Sequence, residues 1–291
     1  MTPKRTEWEL MDKITLEREY SPSSCVSNYE ELVARYTSES LVAEDTVHFK
    51  KDLMYDLDSK ECLDLCTTNN PNSPLLIFIH GGYWQFLSKN DSLFPAKSLA
   101  DSGIAYCAID YTLAPKASIS EMLEQCRRSI QWLYKNALKY GYNADQIFLA
   151  GSSAGAHLAA MTILTDWSKY DLPENVIKGG TLLSGVFDLQ PLVKTYINEP
   201  LKLDSEEAKR ISPLFEIKQN DTELIVCWGE NETSEFKRQS IEFEKKWKDM
   251  GNRSSLLEVQ HANHFDIVFF MLDKNCSLSD LMMKQILGEE R

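Results

Sequence analysis

Gln146-Ile147-Phe148-Leu149-Ala150-Gly151-Ser152-Ser153-Ala154-Gly155, followed by Ala156-His157-Leu158-Ala159-Ala160-Met161, is the stretch on which the fold turns. Its opening residues form an apolar run of strand length, and the residues after Gly155 read as a helix. Between them stands Gly-x-Ser-x-Gly, the pattern of a strand that turns abruptly into a helix with a serine at the corner. So tight a turn leaves no room for a side chain two residues before or after the serine, which explains Gly151 and Gly155. The helix that follows aims its first amide N–H groups at any oxyanion formed beside Ser153. An ordinary Gly/Ser turn is the alternative reading, and the strand before the motif and the helix after it favour the elbow over it. The motif implies an activated serine.

Working outward, Leu75–Ile79 and Ile104–Ile109 are continuous apolar runs, suited to strands covered on both faces. Ser92–Ser102 between them reads as a helix. Ser118 opens a long helix, with Glu121 completing a capping box and Gly141 ending it. Further strands are expected at Thr181–Leu183, Leu224–Trp228 and Ser255–Val259. A helix face runs through Phe236, Ser240, Phe243 and Trp247, and a last helix spans Leu281–Leu287. Strands alternating with helices imply an α/β fold with a mostly parallel, doubly wound sheet and helices on both faces. No repeat or flexible linker divides the chain, so residues 1–291 are expected to form a single domain. Leu189–Lys218 has no strand pattern, and with residues 1–45 it is a candidate small cap over the site.

The totals exclude several classes. With 291 residues, 43% hydrophobic and 26% charged, the chain can bury a large core. A net charge of −13 argues against nucleic acid or an anionic membrane surface as partner. Met1–Glu9 has basic residues without an apolar stretch behind them, so no secretory signal is expected, and no run is long enough to span a bilayer. The seven cysteines lack metal-type spacing, since three residues separate Cys62 from Cys66. Reduced thiols in the cytoplasm are the simplest expectation.

An activated serine needs a base, an orienting acid and donors for the oxyanion. His80-Gly81-Gly82-Tyr83-Trp84 follows the Leu75 strand, where an α/β-hydrolase places half of its oxyanion hole. Gly82, with Gly81 or Tyr83, would supply backbone N–H groups there, and Ala154 the partner N–H. His80 reads as a brace for this loop. Chain order puts the base last, which leaves His261 and His264. His264 lies farther beyond the last strand and reaches the elbow better. The acid should follow the Leu224 strand, and Glu232 is favoured over Glu230 and Glu235, which read as surface charges at a helix start. Glutamate can hold an imidazole tautomer as aspartate does. Asp188 sits one strand too early and reads as structural, and His48 and His157 as bystanders. The His261/His264 pair has no companions at ligand spacing, so no metal is expected.

With these residues in place, the chain resembles the kynurenine formamidases (arylformamidases) of animals, in the hormone-sensitive-lipase-like branch of α/β-hydrolases. His80-Gly81-Gly82-Tyr83-Trp84 is the sharpest mark, since the wider esterase branch usually has a third glycine in place of Tyr83. Asp110–Pro115, Gly151–Leu158, Ser184–Leu189 and His264-Phe265 add to it, with weaker likeness at Tyr29 and Tyr36. The chain departs from many relatives at Glu232, where they have aspartate. The resemblance implies hydrolysis of N-formyl-L-kynurenine to L-kynurenine and formate, in tryptophan breakdown. It implies no cofactor, and a homodimer as an option.

The residues themselves agree with a small acyl pocket, because bulky Tyr83 and Trp84 beside the oxyanion loop would suit a formyl group. A general short-chain carboxylesterase would use the same groups. A non-catalytic binding protein of this fold is disfavoured by the full set of serine, base, acid and both oxyanion segments.

Overall fold

The computed structural model describes residues 7–288; residues 1–6 of the expected cap segment, and 289–291, lie outside it. Eight strands form one sheet: β1 (Phe49–Met54), β2 (Cys62–Cys66), β3 (Leu75–Ile79), β4 (Ala105–Ile109), β5 (Ile147–Ser152), β6 (Ile177–Leu183), β7 (Glu223–Asn231) and β8 (Ser254–Asn263). Their spatial order is β1-β2-β4-β3-β5-β6-β7-β8. From β4 to β8 every pairing is parallel, and β2 alone runs against its neighbours.

Burial on both faces explains the unbroken apolar runs. In β3, Leu75, Ile77 and Ile79 enter one core, while Leu76 and Phe78 enter the other across the sheet. In β4 the same split sends Ala105, Cys107 and Ile109 one way and Tyr106 and Ala108 the other. A strand with water on one face would alternate apolar and polar residues instead.

The helices are α1 (Lys13–Glu19), α2 (Tyr29–Thr46), α3 (Ala96–Asp101), α4 (Ile119–Tyr140) and α5 (Ala154–Ile163). After them come three short helices, α6 (Asn198–Leu201), α7 (Ser205–Arg210) and α8 (Pro213–Glu216). The chain ends with α9 (Ser234–Asp249), α10 (Ile267–Phe270) and α11 (Ser277–Leu287). At α4 the capping box of Ser118 and Glu121 is formed, and Gly141 ends the helix at φ 80°. All ten residues of α5 are buried, so this helix has no polar face.

Several boundaries differ from expectation. The helix expected from Ser92 begins only at Ala96, because Pro95 disfavours helical geometry in the residue before it. Strands β1 and β2 and helix α2 give weak periodic signals and were not anticipated. Strand β8 runs four residues past Val259, to Asn263. His264 therefore leaves the end of the strand directly, not partway along a loop.

Candidate active site

Every group of interest leaves the carboxyl end of a parallel strand, where such sheets open into a crevice. At the end of β5, Ser153 adopts φ 56° and ψ −119°. That backbone is strained for any residue with a Cβ, and it holds only where the surroundings enforce it. The surroundings are tight. A Cβ on Gly155 would lie 2.0 Å from the Ile79 carbonyl oxygen, and one on Gly151 would lie 2.3 Å from that of Gly155. The Ser153 N–H donates to the Leu183 carbonyl at 2.8 Å, anchoring the turn to β6.

At the ends of β7 and β8, His264 Nδ1 lies 2.8 Å from Glu232 Oε2. The other carboxylate oxygen, Oε1, accepts from the Ser184 hydroxyl and the Gly229 N–H, both at 2.6 Å. Both side chains are buried, and the Phe236 ring packs 4.5 Å from the imidazole. The competing residues go elsewhere. Glu230 accepts from the His261 N–H at 2.8 Å, and the His261 side chain is 91% exposed. Glu235 is not a surface charge: it is 1% exposed, accepts from Tyr20 Oη at 2.7 Å and pairs with Arg238. The sequence at the start of α9 does not reveal which side of the helix faces inward, and Glu235 falls on the buried side. Among the described residues no hydrogen bond joins the Ser153 hydroxyl to His264, although both side chains border the same cavity.

The loop after β3 is pressed against the elbow. A Cβ on Gly81 would stand 2.8 Å from the Ser152 carbonyl oxygen and 3.3 Å from Ser153 Cβ. Gly82 has φ +90°, and a side chain there would meet the Phe86 carbonyl oxygen at 2.3 Å. The Tyr111 hydroxyl donates to the His80 and Gly81 carbonyls, at 2.9 and 3.2 Å, and so ties this loop to the chain just after β4. Among the described residues the N–H groups of Gly82 and Tyr83 find no acceptor. Ala154 begins α5, where a helix leaves its N–H groups without internal partners.

His80 is buried and stacks on Tyr111 at 4.3 Å, with Nδ1 3.0 Å from the Gly81 carbonyl. Burial pulls its pKa down to about 4 and pushes that of nearby Asp110 up to about 6. Trp84, expected beside a substrate, is fully buried instead. Its ring meets His157 edge-on at 5.1 Å and does not line the cavity. The two rings stay 6.0 Å apart, with backbone φ of 51° and 60°, yet only Tyr83 borders the cavity, which residue type could not reveal.

These groups open on a cavity of about 210 Å³, bordered by Ser153, His264, Gly81, Gly82 and Tyr83. Tyr29, Tyr36, Phe86, Phe94 and Phe265 give it an aromatic wall. Both segments expected as a cap border it, through Ser21 and Tyr36 on one side and Tyr196 and Ile197 on the other. The aromatic wall and Ser184 were not read as site residues. They come from separate segments, with no spacing that marks them as a group. Among the described residues no group of His, Cys, Asp or Glu could hold a metal ion, and no helix is long and apolar enough to cross a membrane.

A model of the BD-FAE family matches residues 63–247. A kynurenine formamidase of Danio rerio is 37% identical, over 97% of this chain and 99% of its own length. One from Salmo salar is 34% identical, again over 97% of this chain and 99% of its own. An esterase from the archaeon Pyrobaculum calidifontis shares the fold, with a TM-score of 0.72 at 17% identity, covering 89% of this chain and 93% of its own.

Proposed function

This chain belongs to the kynurenine formamidase family, and from that premise we propose that it hydrolyses N-formyl-L-kynurenine to L-kynurenine and formate through Ser153, His264 and Glu232. A carboxylate can only accept, so Glu232 keeps the proton of neutral His264 on Nδ1 and leaves Nε2 as the base. His264 Nε2 takes the hydroxyl proton as Ser153 Oγ bonds to the formyl carbon. The N–H groups of Gly82, Tyr83 and Ala154 receive the oxyanion. The imidazolium then protonates the aryl nitrogen, the C–N bond breaks, and kynurenine leaves a formyl ester on Ser153. Water, deprotonated by the same imidazole, releases formate and restores the serine.

The observation that carries this reading is the convergence of the strained Ser153, the His264–Glu232 pair and the Gly81 loop on one aromatic-walled cavity. A formyl carbon bears only hydrogen, so it fits beside Ser153 where the Gly81 backbone presses on the elbow. An aryl leaving group would lie against Tyr36, Phe94 and Phe265. Seven free cysteines fit a reducing compartment, and a cytoplasmic site of action is part of the reading. So is a homodimer, which sedimentation would measure.

Purified protein should turn over N-formyl-L-kynurenine, and Ser153→Ala should abolish turnover without unfolding the chain. Activity of that variant within tenfold of wild type would overturn Ser153 as nucleophile. A kcat/KM higher for a short aryl ester than for the formamide would favour a general esterase.

A further inference from the structure

Among the described residues lining the cavity, Asp91 is the sole permanent charge; the other ionisable groups are imidazoles and phenols. Asp91 sits in the short turn Lys89–Ser92. Its Oδ1 accepts from the Thr37 hydroxyl at 2.6 Å and its Oδ2 from that of Ser88 at 3.0 Å. Each oxygen thus keeps a lone pair free. No described cation pairs with it. Lys89, two residues away, is committed to Asp52 and Asp64, both at 2.9 Å. Asp91 lies in the chain between Phe86 and Phe94 and borders the same cavity as both, and the Tyr36 ring stacks on Phe94 at 6.3 Å, so the charged residue and the aromatic wall share one cavity.

An anionic oxygen pair beside an aromatic surface, in a cavity without lysine or arginine, selects for an aromatic ligand carrying a cation. Resting on the function proposed above, we propose that Asp91 is the specificity residue that receives the α-ammonium group of the substrate. The carboxylate of the same amino acid then finds no cationic partner among the lining residues and stays in water at the mouth. Recognition of the tail is one-sided: the amine is read and the acid is tolerated.

Asp91→Asn tests this, because asparagine keeps the shape and can still bond both hydroxyls. With N-formyl-L-kynurenine the variant should raise KM roughly tenfold while kcat changes little, the loss of one part-exposed charge-assisted contact. With the deamino analogue, which has the aryl ketone and the carboxylate but no amine, KM should stay level or fall. Equal shifts for the two compounds, or none for either, would overturn the proposal. Competitive inhibition of formanilide hydrolysis by L-kynurenine gives a readout that does not depend on which formamide is the natural substrate. Its inhibition constant should rise roughly tenfold in Asp91→Asn. If wild type ignores N-formyl-L-kynurenine yet kynurenine inhibition shows this Asp91 dependence, the proposed substrate fails while the amine site stands. An inhibition constant unmoved by Asp91→Asn refutes the amine site.

Discussion

His264 Nδ1 and Glu232 Oε2 are 2.8 Å apart, and the second Glu232 oxygen is held by Ser184 and Gly229. The carboxylate is thus fixed at both ends, and the imidazole plane is fixed with it. Glu232→Gln would set an amide NH₂ against the Nδ1 proton or surrender the Ser184 and Gly229 donors. The expected loss in kcat is on the order of 10²–10⁴. Glu232→Asp should keep partial activity at a shorter reach, and Ser184→Ala should cost less than either. Buried Glu235 gives a different outcome: Glu235→Gln should lower stability, read as a shift in Tm, with a smaller effect on kcat. A glutamine at 232 with near-normal kcat would remove Glu232 from the proposed mechanism.

The two C-terminal histidines separate cleanly by environment. His261 is exposed and paired with Glu230, whereas His264 is buried and borders the cavity. His264→Ala should reduce kcat on the order of 10⁴ or more, and His261→Ala should leave it within a few-fold. Steady-state kinetics giving the reverse ranking would reassign the base.

Gly81→Ala places a methyl group 2.8 Å from the Ser152 carbonyl oxygen, which is backbone and cannot swing aside. Either the loop or the elbow must shift. Since a displaced oxyanion donor costs about 10²–10³ in kcat, a drop of that order is expected, with stability reduced by about 1–3 kcal/mol. A kcat unchanged in this variant would place the oxyanion donors elsewhere.

His157 offers a pH test. Its Nε2 lies 2.7 Å from the Ile211 carbonyl, its Nδ1 has no partner, and burial lowers its pKa from 6.5 to about 4. Unfolding lets it bind a proton that the fold refuses. The contribution is therefore complete above pH 6.5 and is lost as pH falls towards 4, by about 3 kcal/mol. Buried His80 acts in the same sense, while Asp110 and Asp188, raised to about 6, gain stability on acidification. Comparing denaturation midpoints of wild type and His157→Gln across this range cancels those groups. The wild type should lose more stability on acidification than the variant does; equal losses would refute the linkage.

The elbow, the parallel strands and the capped helix α4 could be read from residue order, because each is written in local chemistry. Glycines leave no alternative at positions 151 and 155, apolar runs demand burial on both faces, and Ser118 with Glu121 caps its own helix. The chain order of serine, acid and base follows from strand order in the same way. What tertiary structure decided was pairing at a distance. Glu230, Glu232 and Glu235 are equivalent as letters, and only the register of β7 against β8 brings Glu232 to His264. Tyr83 and Trp84 are adjacent aromatics, and only the tertiary structure shows that Tyr83 borders the cavity while Trp84 is buried in the core. The aromatic wall and Asp91 come from segments far apart in the chain. Contacts across such separations follow from packing, which residue spacing does not encode.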